Sequence, residues 1–577
     1  MPVQRLPLVG VHNQRSVDGT NALTLSQDQR FLNCIFDAVK NPITGKTLFY
    51  VEKRPGWQIR NLVSAGNIGT GLIRTDILQS DVSAFGTPNS TIYDNQTSVG
   101  TITGEVLSMN ETALGSIGYV MIRSTDGTGW YYPSDAKTTL TYTGTTHTNT
   151  TLDTLGSTVG MYSGQLVSKA DIPAGTRILS VDSATSVTLT AAATGSAAGT
   201  VTKEPIAKIL SANFVATGTN ISGFVDLGGF LMYCTEDGYI YQSDINTVHL
   251  YTAINKMPHD TTPDLPVAIM KQKEWIICGG RTSTEFYKNA GNSVGSVLSR
   301  VGTKSVGWLH QRSAVKLEDD VYFVSSSASG DLHVEKITDG NIQPISTPAV
   351  DKIIGTARST GSQIYLSAFT LDGYGYVLLQ IIAAPVGFIL KEDGSYLLLE
   401  TGDKIILEAS STVMVREMVY NVNLNLWSEW DSTLLTYVKG VGSGSINQII
   451  ASSRLLAGGK TYQINPSSDS EVYTDDGSAY SMIIQTAAFD LGTNKRKTVH
   501  SITIIADTPT SGTLTIETSD DDFVTWVSRG TIDLTSQNKR LTGIGSHKGA
   551  RAYRFTHSSN APFRAQAIDI DYSVSNI

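Results

Sequence analysis

The residues best suited to chemistry are few, and each lacks something the reaction it suggests requires. Gly291-Asn292-Ser293-Val294-Gly295 has the spacing of a serine nucleophile turn, but such a turn needs a strand entering and a helix leaving. Tyr287-Lys288-Asn289-Ala290 precedes it and Ser296-Val297-Leu298-Ser299 follows, with no apolar stripe of helical period. Gly459-Lys460-Thr461 and Gly45-Lys46-Thr47 look like the end of a phosphate loop. The glycine needed five residues earlier is Arg454 in one and Lys40 in the other, so neither wraps a phosphate in backbone amides. The nine histidines form no HxH or HExxH pair. Cys34, Cys234 and Cys278 are too widely spaced for a CxxC metal pair or a disulfide framework, so buried free thiols are expected. No catalytic residue, metal ligand or cofactor emerges from these patterns. Paired carboxylates for glycoside hydrolysis are defined by a tertiary separation that a sequence does not carry.

Two acidic patterns stand out as well. Ser519-Asp520-Asp521-Asp522-Phe523-Val524-Thr525-Trp526 approaches the S-x-D-x-G-x-T-W box, with Phe523 where the turn glycine belongs. Such a box is a structural hairpin, not a catalytic one. Glu392, Glu400 and Glu408 recur every eight residues, with Gly394 and Gly402 in the same register. Eight residues make one short strand and a tight turn, so a three-strand meander is expected there. Its glutamates read as the wet face of a small sheet rather than a cation site.

The elements that must carry these residues are strands. The chain has 577 residues, of which only 16% are charged, and 53 are glycine. Thr, Ser, Val, Ile and Tyr take the place of Lys and Glu, which suits strands and turns. The expected class is all-β. A formal charge of −9 argues against a sequence-independent grip on DNA, which needs dense Lys and Arg. Met1-Pro2-Val3-Gln4-Arg5 offers no secretory apolar segment, and no apolar run approaches the ~20 residues of a membrane span.

From about residue 226 one pattern repeats: an apolar β-rich run, a polar turn, and a second alternating run. First runs are Phe230–Cys234, Trp275–Cys278, Val321–Val324, Ile364–Leu366, Met418–Tyr420 and Ile449–Ala451. Turns such as Glu236-Asp237-Gly238, Asp372-Gly373 and Asp476-Gly477 supply the positive-φ positions of tight hairpins. A spacing of about 45 residues is the propeller range of four short strands per blade. Stacked β-sandwiches are the competing architecture. Residues 1–30 read as an extended arm that docks on something else, and 31–141 as the first part of the propeller or a platform. Residues 142–205 read as an inserted small β-domain. Blades follow over 206–480, with the octad meander at 386–411 as a second insertion. Residues 481–577 form a C-terminal β-region, either a closing blade or a sandwich.

Several stretches carry a family resemblance. Arg281-Thr282-Ser283-Thr284-Glu285-Phe286-Tyr287, Ala290-Gly291-Asn292 and Leu298-Ser299-Arg300 resemble the central signature of the packaged-DNA stabilisation, or tail accessory, proteins of short-tailed bacteriophages. Gly307-Trp308, Val321–Val324, Ile345–Val350, Leu426-Trp427-Ser428-Glu429-Trp430, Asp28–Cys34 and Lys53-Arg54-Pro55-Gly56 continue it. The resemblance implies a β-propeller body in a hexameric tail nozzle at the portal vertex of the virion, made in the host cytoplasm. The ring would sit below the portal and adaptor rings, meet tail fibres or spikes, and pass double-stranded DNA without reading it. Arg281, Thr284, Glu285, Phe286, Gly291, Asn292, Ser299 and Arg300 are then structural or subunit-contact residues. An Arg281–Glu285 ion pair fixing blade geometry is expected ahead of a contact to a neighbouring subunit. The rival readings are a polysaccharide-binding or depolymerising tail protein, a propeller sialidase or lyase, and a capsid decoration protein.

Overall fold

The computed structural model describes residues 3–8, 29–40, 47–137, 139–215, 221–259, 264–326, 332–382, 415–431, 436–438, 449–453, 458–464 and 472–575. Among them, seven antiparallel four-stranded meanders follow one another. Blade 1 is Gly69–Thr75, Ser80–Phe85, Ser90–Asp94 and Thr97–Ile102, and blade 2 is Val106–Leu114, Ile117–Ser124, Gly129–Pro133 and Ala197–Lys208. Blade 3 runs from Val225–Leu227 to Lys256–Pro258, and blade 4 from Pro266–Gln272 to Leu298–Lys304. Blade 5 is built on Asp320–Ser326, blade 6 on Gln363–Leu371, Tyr374–Ile382, Val415–Asn421 and Leu426–Trp430. Blade 7 combines Thr436–Val438, Ile449–Ser453 and Lys460–Ile464 with an N-terminal strand, Gln58–Leu62, as its outermost member.

Neighbouring blades touch in cyclic order, and Ile449–Ser453 of blade 7 packs on Gly69–Thr75 of blade 1, so the ring closes. Closure by an N-terminal strand ties the two ends of the ring together and leaves no long open edge there. Arg60 adds a clasp, bonded to Asp81 of blade 1 at 2.5 Å and to Gln463 of blade 7 at 2.8 Å. Hydrophobic clusters lie between successive blades, such as Met232, Cys234, Ile240, Ile276, Cys278 and Tyr287 between blades 3 and 4. The fold is all-β, with a propeller body.

The repeat is less regular than the sequence suggests. The runs at 230, 275, 321 and 449 are second strands, but Ile364–Leu366 lies in a first strand and Met418–Tyr420 in a third. The second and third strands of blade 6 are separated by residues 383–414, which shifts the phase. The octad at 386–411 lies outside the described residues. The turns follow Asp-Gly chemistry: Asp372 and Gly373 have φ of 49° and 81°, Asp476 and Gly477 of 48° and 81°.

One α-helix, Pro348–Ser359, interrupts the strands among the described residues. The all-strand reading passes over it, although Thr347 caps it and Pro348 opens it. Val350, Ile354 and Ala357 face inward at i, i+4 and i+7, between blades 5 and 6.

Two further bodies complete the molecule. The inserted small β-domain grows from blade 2. Ala197–Lys208 pairs with Leu140–Thr146 at one end and with Trp130 and Tyr131 at the other, so one strand is shared. The domain has its own core of Leu152, Met161, Ile172, Ile178, Val187, Leu189 and Val201. Both ends of the chain build a β-sandwich. Val3–Pro7, Cys34–Lys40 and Thr47–Lys53 share one sheet with Lys497–Ala506, Arg540–His547 and Arg564–Val574. Arg30–Leu32 lies in the other, with Met482–Gln485, Ala552–His557 and Thr513–Ser519. Val3–Pro7, from the arm expected to dock elsewhere, thus pairs with its own chain.

Candidate functional site: the signature region of blades 3 and 4

The signature residues gather in blade 4 and its contacts with blades 3 and 5. Glu285, in Thr284–Asn289, is fully buried and accepts a hydrogen bond from Tyr287 Oη. Its ion-pair partner is Arg300 of Leu298–Lys304, at 2.8 Å, and Arg300 also donates to Pro258 O of blade 3 at 3.2 Å. The expected Arg281–Glu285 pair is therefore corrected. Arg281 is half-exposed and reaches Glu236 of blade 3 at 3.1 Å. The reason is strand geometry: Glu285 faces inward in the ladder opposite Thr303 and Cys278. Arg281 lies in the turn between strands, outside that register.

Thr284 Oγ1 accepts from Trp308 Nε1 at 2.8 Å, and Phe286 packs with Trp308 and Phe323 between blades 4 and 5. Gly291 has φ of 68° in the loop that follows, where Asn289 Oδ1 accepts its N–H at 2.8 Å. Asn292 Nδ2 closes the loop by donating to Ser296 O at 3.0 Å. Ser299 pairs with Lys288 in the ladder. These groups hold one another: the Tyr287 hydroxyl donates to the buried Glu285 carboxylate and the Thr284 hydroxyl to Val306 O at 2.5 Å. Ser293 sits on the exposed loop with no helix after it. Lys460, of the second motif, is tied to Asp476 at 2.8 Å, and a side chain at Gly459 would meet Ser64 O.

Residues with no local sequence signal complete the scaffold. Asp264 accepts from the backbone N–H groups of Arg281, Thr282 and Ser283 at 2.9, 2.8 and 2.9 Å, fixing the turn that precedes Thr284. Arg123 is fully buried, with its guanidinium 4.6 Å from the Tyr233 ring centre and 4.9 Å from that of Phe214. Burial lowers its pKa to about 10. The Asp-box-like segment forms a structural turn on the sandwich. Asp521 accepts from Ser519 Oγ and Thr525 N, and Phe523 takes the turn position at φ of 71°. Cys34, Cys234 and Cys278 are buried and unbridged. Among the described residues no group of three His, Cys, Asp or Glu could hold a metal, and no helix is long and apolar enough to cross a membrane.

Comparison with known proteins gives one family match. Residues 135–382 fit the phage-stabilisation family model described as Bacteriophage P22 Gp10, beta-propeller. No curated protein sequence matches the chain. Similar solved structures include the computationally designed Ika8 protein, 11% identical with TM-score 0.31, covering 70% of this chain and 99% of that one. Sqt1 of Saccharomyces cerevisiae is 8% identical with TM-score 0.33, covering 71% and 98%. BamB of Moraxella catarrhalis is 9% identical with TM-score 0.30, covering 71% and 97%.

Proposed function

We propose, for a chain whose residues 135–382 belong to the phage-stabilisation family, that it serves as a tail nozzle, a ring that closes and extends the portal channel. The match over residues 135–382 supports a structural accessory role in a phage tail and is the observation that carries the proposal. Six copies would dock on the portal or adaptor ring, meet fibres or spikes, retain the packaged DNA and serve as its exit conduit.

The chemistry of the molecule is in keeping with this. Arg281, Thr284, Phe286 and Arg300 join blade 4 to its neighbours, while Glu285, Gly291, Asn292 and Ser299 hold blade 4 itself. A chain with a formal charge of −9 repels phosphate, so duplex passes a wall of such copies without being gripped. Cryo-electron microscopy of the parent particle tests the reading. Six copies at the portal vertex are expected; density on the head shell, or none at that vertex, would overturn it.

A further inference from the structure

The first strand of blade 5 is split. Gly307–Trp308 and Ala314–Leu317 both pair with Asp320–Ser326, and a 3-10 turn, Gln311–Ser313, stands between them. His310 caps this turn, its side chain accepting from Ser313 N while Ser313 Oγ accepts from His310 N. The turn leaves its own blade and reaches the first strands of three others. Gln311 Oε1 accepts Ile269 N–H of blade 4 at 2.8 Å, and Gln311 Nε2 donates to Ile269 O at 3.3 Å, as a neighbouring strand would. Arg312 donates to Val106 O and Leu107 O of blade 2 and lies 3.3 Å from Tyr365 Oη of blade 6.

In a seven-membered ring, blade 5 and blade 2 are three places apart. A side chain joining their innermost strands crosses the axis. Innermost strands expose unpaired backbone groups to the axial channel, and Gln311 and Arg312 satisfy some of them. We infer that His310–Ser313 is an axial lock: it seals the propeller from within and couples blades 2, 4, 5 and 6 into one rigid body. The axis of each copy is then neither a ligand site nor a conduit. In the proposed nozzle, DNA would run between copies and not through one; that consequence rests on the nozzle reading, whereas the lock rests on the fold alone.

Hydrogen exchange on the full chain tests it. Gln311→Met removes both bonds to Ile269, and the peptide spanning Ile269 should then exchange roughly tenfold faster or more, the loss expected for one to two net hydrogen bonds. Peptides of outer strands should not change. Unchanged exchange at Ile269 in a folded variant overturns the lock. A second probe reads accessibility of the axis. Ser108 of blade 2 is 5% exposed beside Gly223, whose backbone abuts Gln311, and the three native cysteines are buried. Ser108→Cys should resist maleimide in the native chain and react faster once Arg312→Ala is added. Labelling of the single variant at the rate of unfolded chain overturns the proposal.

Discussion

Arg54 and Asp475 form a bidentate ion pair, Nη2 to Oδ2 at 2.6 Å and Nη1 to Oδ1 at 3.0 Å, with neither side chain exposed. The pair is the hub between the sandwich and the ring. Asn33 Oδ1 accepts from Arg54 Nε at 3.0 Å and from Asp431 N, after blade 6, at 2.9 Å, while Asp475 Oδ1 accepts from Trp57 N at 3.0 Å. Asn33 reaches these partners from a left-handed conformation, φ of 56°, which asparagine tolerates better than most residues. Burial opposes the Arg54 charge, but Tyr480 and Asp475 more than offset it, so its pKa is raised. Asp475→Ala leaves a buried cation unpaired and should destabilise by about 3–5 kcal/mol. The double variant Arg54→Met, Asp475→Ala should recover part of that loss. Urea unfolding checks both, and a double variant no more stable than the single one would contradict the pairing.

The two arginines of the signature should behave differently. Arg300 holds a buried carboxylate, so Glu285→Gln should cost about 1–3 kcal/mol through the charge-assisted bond it loses. Arg281 meets Glu236 at the surface, and Arg281→Ala should cost about 0–1 kcal/mol. If thermal unfolding shows the reverse order, the assignment of partners is wrong.

Acid stability should reflect opposed titrations. Burial, with Arg312 beside His310 and Arg551 beside His547, lowers both imidazoles to about 4. Their neutral forms stabilise the fold above the ordinary value near 6.5, and this contribution is lost as pH falls from there to about 4. Glu52 has the opposite sign. Burial raises it to about 7, with Asp37, Asp372 and Asp507 adding to the effect and Arg564 opposing it. Its contribution is present below about 4.5 and lost as pH rises through 7. Glu52→Gln should therefore raise the unfolding midpoint at pH 8 and not at pH 4. His547→Gln should flatten the decline between pH 6.5 and 4. Unfolding scans from pH 4 to 8 decide, and an unchanged profile in either variant would contradict the assignment for that residue.

Local chemistry made the strands legible, and long-range pairing remained hidden. Apolar runs such as Trp275–Gly280 and Asp-Gly turns declare themselves within a few residues, because burial and φ are local demands. The lock is different. Gln311 and Arg312 are ordinary polar residues, and only closure of the ring brings Ile269 and Val106 to them. Asp264 is likewise 17 residues from the nearest amide it caps. Glu285 was legible as a signature residue, whereas its partner depended on inward orientation in a ladder that includes Thr303.

The inserted domain should be removable. Leu140 and Lys203 face each other in the shared ladder, so excising residues 141–202 and joining the ends through an Asn-Gly turn keeps the hairpin register. What is lost lies mainly inside the domain, whose core residues are its own. Ties to blade 2 also go. The strand Gln165–Ser168 pairs with the 203–207 part of the shared strand, and Lys208 N donates to Gly164 O at 3.0 Å. Gln165 Nε2 donates to Pro205 O at 3.1 Å, Tyr131 Oη to Ser163 O and Lys203 Nζ to Gly160 O, while Arg177 lies over the Trp130 ring at 4.9 Å. The lost ladder and side-chain ties suggest a cost of several kcal/mol, at about 1 kcal/mol per net hydrogen bond with the cation–π contact added. Circular dichroism of the shortened chain should retain its β signature with a cooperative melting transition at lower temperature. Particles carrying the shortened chain then separate two roles. Normal assembly with lost attachment assigns the domain to a fibre or the host surface, and normal infectivity assigns it to neither. Failure of the shortened chain to fold would show that the Ala197–Lys208 strand draws its stability from the domain and not from blade 2.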